Sequence, residues 1–172
     1  MDPNVILCAL ALTQTISAWG GNMPPDYDER LSTCVLVAEA AIEQGVPVYI
    51  AVAVAERESG FVTGLTSKAG ARGPLQIIPR YHCPNPEGEH KPHERRGVLK
   101  GCDLVKDGIR ALKWFWQDYG GGDWKIALCH YNSGEKCVSK ARQYAHGVLK
   151  RSGILETQFN AIALFGKDED LN

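Results

Sequence analysis

Apolar residues recur at helical spacing along most of this chain. Over residues 31–44 they fall at Leu31, Cys34, Val35, Ala38, Ala41 and Ile42, which predicts an amphipathic helix with Gly45 as its stop. Pro47 suits a first helical turn. The apolar run VYIAVAVA at 48–55 fits a buried strand or a buried helix, and periodicity does not choose between them. The Pro47 start and the charged continuation Glu56-Arg57-Glu58 favour a helix buried on most sides. Residues 102–119 predict a strong amphipathic helix with Leu104, Ile109, Leu112, Trp116 and Tyr119 as its apolar set, ended by glycines 120–122. Asp123 is placed to cap a short helix over 124–131. Residues 135–151 predict another helix, ended by Gly153, and residues 154–165 one more.

The intervening segments are polar or turn-rich. Residues 19–30 (WGGNMPPDYDER) read as a linker, and 59–79 as loop with at most one helical turn. Residues 80–101 hold three Pro, three Gly and three His, which reads as an irregular surface excursion. Residues 167–172 form an acidic tail. Near the start, Val5 opens an apolar run that ends at Leu12, with Ala18 at a plausible cleavage position, as in a secretory signal. Asp2 and the lack of a preceding Lys or Arg fit a buried N-terminal helix of the mature chain instead. Cleavage after Ala18 would remove Cys8. The expectation is a mainly α fold with a Pro/His-rich inserted loop. It divides into an N-terminal segment (1–30), one domain (31–153) and a C-terminal helix with its tail (154–172).

Composition narrows the picture. The chain has 172 residues, of which 44% are hydrophobic and 23% charged, so it can build a packed core. No apolar run reaches the roughly 18 to 20 residues that cross a bilayer. A formal net charge of −1 gives no basic field to draw in nucleic acid. The six cysteines, Cys8, Cys34, Cys83, Cys102, Cys129 and Cys137, point to an oxidising compartment. Nearness in sequence suggests Cys8 with Cys34, Cys83 with Cys102, and Cys129 with Cys137, although sequence alone cannot choose. His82, Cys83, His90, His93 and Cys102 are dense enough to raise a zinc site. Their spacing fits no standard finger, and a disulfide with exposed histidines explains them more simply, so no metal or cofactor is expected.

Glu58 is the first candidate for chemistry. On a helix its neighbours one and two turns back are Val54, Ala55, Ala51 and Ile50. A carboxyl on such a face loses hydration, its pKa rises, and it becomes a general acid usable near neutral pH. A solvated charge at a helix end is the ordinary alternative, and Glu56 competes with it.

The stretch ERESGFVTGLTSKAGARGPLQIIP resembles the signature of lytic transglycosylases of the soluble-transglycosylase type, glycoside hydrolase family 23. The matching positions are Glu58-Ser59, Phe61, Ser67, Gly70-Ala71, Gly73-Pro74-Leu75-Gln76 and Pro79, with no gap from Glu58 to Gln76. His130-Tyr131-Asn132-Ser133-Gly134 resembles a second family motif, and Ala141-Arg142-Gln143-Tyr144 a third, a helix whose Tyr reaches the catalytic Glu. Leu75 and Pro74 depart from the family's usual Met and Leu, both apolar exchanges. The resemblance covers about residues 31 to 152 and is closest to the small members of secretion systems, pili and phage virions. It implies a lysozyme-like fold. It also implies cleavage of peptidoglycan strands between MurNAc and GlcNAc, with a 1,6-anhydro-MurNAc end formed.

By that resemblance Glu58 is the catalytic residue, and Ser67, Gln76, Tyr131, Asn132 and Tyr144 bind substrate, with Tyr131 and Tyr144 alternatively orienting Glu58 and Ser67 alternatively holding the loop. A single carboxyl suffices if the substrate's acetamido group supplies the nucleophile. Asp103, Asp107, Asp118, Asp123 and Glu135 are present, but sequence sets none of them opposite Glu58. Trp114, Phe115, Trp116 and Trp124 tempt one toward a sugar platform, whereas helical aromatics are more often core. Two other readings remain: a hydrolytic muramidase, and a non-catalytic peptidoglycan-binding part of a secretion, pilus or phage-tail assembly. The implied location is outside the cytoplasm, in the periplasm, secreted or carried in a virion. No nucleic acid partner and no transmembrane segment are expected.

Overall fold

The structure is a computed structural model that describes residues 2–84, 98–99 and 101–165. In chain order its elements are α1 (Pro3–Ala18), α2 (Tyr27–Gln44), α3 (Val48–Ser59), the short α4 (Pro79–His82), β1 (Val98–Leu99), β2 (Cys102–Asp103), α5 (Lys106–Trp114), a π-helical turn (Phe115–Tyr119), α6 (Trp124–Ser133) and α7 (Ser139–Phe165). The mainly α expectation holds.

The ambiguous apolar run at 48–55 is a helix, and it is the centre of the molecule. Ile50, Ala51, Val52, Ala53, Val54 and Ala55 are all buried, because α2 and α7 both pack against α3. A helix that is apolar all round is stable only when enclosed in this way. Alanines at 51, 53 and 55 keep its girth small, so neighbouring helices approach closely. α1 lies across α2 and α7 and buries Leu7, Cys8, Ala11 and Leu12. Asp2 caps α1 by accepting from the Asn4 amide at 2.8 Å.

Several boundaries differ from the sequence expectation. α2 begins at Tyr27, inside the predicted linker, with Asp28 and Glu29 in its first turn where the helix dipole favours acids. The helix predicted over 102–119 is three pieces: strand β2, helix α5 and the π-helical turn. Asp103 shapes this entry by accepting from the amides of Val105 and Lys106 at 3.1 Å. Asp123 does cap α6, accepting from Lys125 at 2.7 Å, and the helix continues to Ser133. The two helices expected around Gly153 are one. α7 runs unbroken through that glycine, since its buried residues Val148, Ser152 and Leu155 keep helical register across it. Isolated Gly costs about 1 kcal/mol in a helix and does not by itself end one. Residues 135–138 lie outside α7.

The three disulfides are Cys8–Cys34, Cys83–Cys102 and Cys129–Cys137, the pairs that nearness in sequence suggests. They join α1 to α2, close the ends of the inserted loop, and staple α6 to the segment just before α7. Most of that insertion, including His90 and His93, lies outside the described residues. Its end pairs β1 with β2 antiparallel, Leu99 opposite Cys102. No helix among the described residues is long and apolar enough to cross a membrane.

Candidate active site

α3 delivers Glu58 in its last turn, and Gly60 ends the helix. Arg30 of α2 holds that end by donating to the Gly60 carbonyl at 2.8 Å. The chain then turns through Phe61, which is fully buried at positive φ, into the segment 62–78. This segment is irregular but tightly fastened. Thr66 bridges Arg72, and Arg72 bridges Ile77. Ser67 accepts from the Ala71 amide through its Oγ at 3.0 Å, closing the tip.

Three anchors set the segment against the helices. Ser59 Oγ donates to the Pro74 carbonyl at 2.8 Å, and Tyr131 Oη donates to the Leu75 carbonyl at 2.5 Å. Leu75 itself is buried against Gly108 of α5, where a Cβ would stand 2.6 Å from the leucine Cδ1. Gly73 has φ +75° and room for no side chain, because a Cβ would meet Leu104 at 2.8 Å. Gln76 is also left-handed, at φ 49°, a strained setting for a non-glycine residue. Its amide nitrogen donates to the carbonyls of Leu65 at 3.1 Å and Gly73 at 2.9 Å, which leaves the amide oxygen as the group it can offer a ligand.

These residues border an open cleft of about 1070 Å³, into which Glu58, Ser67, Gln76, Tyr131 and Asn132 all face. Tyr144 stands behind Glu58. It is 7% exposed and donates its hydroxyl to Glu58 Oε1 at 2.6 Å. The structure thus gathers the six residues singled out from the sequence around one carboxyl: five line the cleft and one supports it from α7. Asn132, on α6, is exposed and its side chain is open to a ligand.

Burial pushes the Glu58 carboxyl above its ordinary pKa. The hydrogen bond from Tyr144 and the charge of Arg57 oppose the rise but do not cancel it. Tyr131 and Tyr144 are held well above the usual tyrosine range by burial and by the nearby Glu58 charge. Both phenols therefore stay protonated as donors. Glu56, the competing carboxyl, is turned away. It pairs with Arg151 at 2.8 Å in a largely buried contact between α3 and α7.

Sequence reasoning favoured the core for residues that belong to the cleft. Trp114, Phe115 and Tyr119 line it, with Tyr81 and His82. The expectation that the aromatic cluster is core holds only in part. Phe115 is buried, whereas Trp114 is 42% exposed, and Trp116 stacks on Trp124 at 5.7 Å, outside the cleft lining. Nothing in helical periodicity announces a π-helical turn, so the register of these rings was not legible. Glu135 also lines the cleft, just past α6, as a second carboxylate among the described residues there.

Residues 35–152 match the transglycosylase SLT domain family. This chain belongs to that family. A solved structure of an inactive mutant of the lytic transglycosylase Slt from Pseudomonas aeruginosa shares the fold, with a TM-score of 0.60 at 16% identity. The match covers 94% of this chain and 31% of that one, so this chain spans about a third of that protein's length. No curated protein sequence matches the chain.

Proposed function

We propose that this protein is a peptidoglycan lytic transglycosylase with Glu58 as its one acid and base. The observation that carries the reading is the Glu58 carboxyl in the cleft lining, desolvated and held by Tyr144, in a chain of the SLT family. A carboxyl with a raised pKa is protonated often enough near neutral pH to give its proton to the oxygen bridging MurNAc and GlcNAc. As that C–O bond breaks, the 2-acetamido group of MurNAc stabilises the oxocarbenium-like centre from the opposite side. The Glu58 carboxylate then takes the proton of the MurNAc 6-hydroxyl, whose oxygen closes the 1,6-anhydro ring. The proton returns to Glu58, no water is consumed and no cofactor is needed.

In this scheme the Gln76 oxygen and the Asn132 amide bind N-acetyl groups. Tyr131 holds the 73–76 turn in place, Ser67 holds the loop tip, and Tyr144 orients Glu58. Residues 31–153 carry every residue of this scheme, and α1 and the part of α7 past Gly153 pack onto the same core. Three disulfides support a site of action outside the cytoplasm, reached by export or by delivery in a virion. The resemblance of its motifs to members serving secretion systems, pili and phage virions supports service to an assembly that must pass the wall.

Clearing of a purified peptidoglycan suspension tests the assignment. Wild type should clear it, and Glu58→Gln should be slower by at least about a hundredfold. Equal clearing by both would remove Glu58 from the mechanism.

A further inference from the structure

One wall of the cleft carries aromatic side chains that the reaction scheme leaves unused. Trp114 is 42% exposed and Tyr119 37% exposed, both facing the cleft beside Phe115. Their placement follows from the π-helical turn, closed where the Gly120 amide donates to the Phe115 carbonyl five residues back at 2.9 Å. Residues five apart lie on different faces of an α-helix. The wider turn brings them to one side, and the Trp114 and Tyr119 rings meet edge-on at 5.4 Å. Phe115 contacts both, at 4.9 Å and 5.5 Å between centroids, and His82 of α4 reaches Trp114 at 6.4 Å. Only glycine fits the end of this turn, since a Cβ on Gly120 would lie 2.6 Å from the Asp123 carbonyl oxygen.

The rings are thus braced from behind and open in front, so little freedom is lost when a ligand covers them. Phe115 also meets Tyr131 at 5.5 Å, and Tyr131 lines the same cleft as Glu58. In this run of ring contacts Phe115 stands between Tyr131 and the Trp114–Tyr119 pair. A β-linked pyranose presents axial C–H groups on its flat side, and these complement the electron-rich face of an indole or phenol.

We propose that Trp114, with Tyr119 beside it, is a stacking platform for a sugar ring away from the scissile bond, and that it sets the length of glycan strand the protein holds. This rests on the peptidoglycan reading above. The test measures affinity for purified peptidoglycan glycan strands of graded length, by calorimetry, with Glu58→Gln protein so that nothing is cut. Adding Trp114→Ala should weaken binding of long strands on the order of tenfold. It should leave fragments that span only the scissile bond unaffected. Trp114→Phe should recover most of the loss, and Trp19→Ala, exposed and outside the cleft lining, should change nothing. In the active protein, Trp114→Ala should raise KM on long strands with kcat kept. Equal affinity of Trp114→Ala and its parent at every length, with active wild type, would overturn the platform and spare the lytic reading. Products with reducing ends, alongside an intact Trp114 effect, would do the reverse. A Glu58→Gln protein that binds no strand of any length would overturn both.

Discussion

Glu56 and Glu58 stand two positions apart on α3, and their neighbours give them opposite work. Glu56 meets a guanidinium and becomes structure, while Glu58 meets a phenol and an open cleft. Because burial raises the Glu58 pKa in the folded protein, the charged carboxylate favours the unfolded chain. The stability Glu58 contributes is full below its unfolded pKa and is lost as pH rises through the folded one. Glu58→Gln should therefore melt at a higher temperature than wild type at neutral pH, and the gap should close as pH falls to the ordinary carboxylate range. A pH series of thermal melts checks this. Arg57 holds the Glu58 pKa down by its charge, so Arg57→Gln should let it rise further. The acid then stays protonated to higher pH, and the alkaline limb of the kcat/KM profile should move upward. Tyr144→Phe should move the limb the same way, with a fall in kcat as the carboxyl loses its orienting bond.

At this scale the sequence was informative where a motif named the residue. Glu58, Gln76 and Tyr131 come together as their motifs imply, although Gln76 and Tyr131 spend part of their hydrogen bonding on the turn at 73–76. Trp114 carried no such label. Its exposure depends on backbone widening one residue further on, which side-chain patterning does not encode.

Among the elements, α3 is held from α7 at the end that carries Glu56 and Glu58. Tyr144 and Arg151, on one helix, reach Glu58 and Glu56 respectively, and Arg151 also donates to the α1 carbonyls of Leu10 and Ala11 at 3.4 and 3.2 Å. Glu56 pays for burial with a raised pKa, which Arg151 partly reverses. Removing one partner of such a pair strands the other, so Arg151→Met should cost about 3 to 5 kcal/mol. Replacing both with apolar residues of similar volume should cost far less. Denaturant melts of the single and double variants measure the difference. The enclosed α3 helix shows why pattern alone was ambiguous: a helix buried on every side has no polar stripe to reveal its period. α7 shows the converse, where Gly153 looked like a stop until packing across it outweighed the local cost.

For the whole molecule, the disulfides and α1 decide how the fold is closed. Cys8–Cys34 ties α1 to α2 across 26 residues, and the chain-entropy argument gives such a loop about 3 kcal/mol. Replacing both cysteines with serine should lower stability by that order, measured in denaturant without reductant. The cleft should survive, because none of its lining residues lies on α1. The fold class was legible from helical periodicity and the motifs, whereas the inserted segment offered no pattern to read, since proline, glycine and histidine set no period.

The central claim is that one carboxyl cuts the strand without water. Mass spectrometry of the muropeptides that wild type and Glu58→Gln release from purified peptidoglycan tests it most directly. The account predicts 1,6-anhydro-MurNAc ends from wild type and none from Glu58→Gln. Reducing MurNAc ends from wild type would contradict it, and would turn attention to Glu135, a second carboxylate lining the cleft among the described residues, as the base for a water.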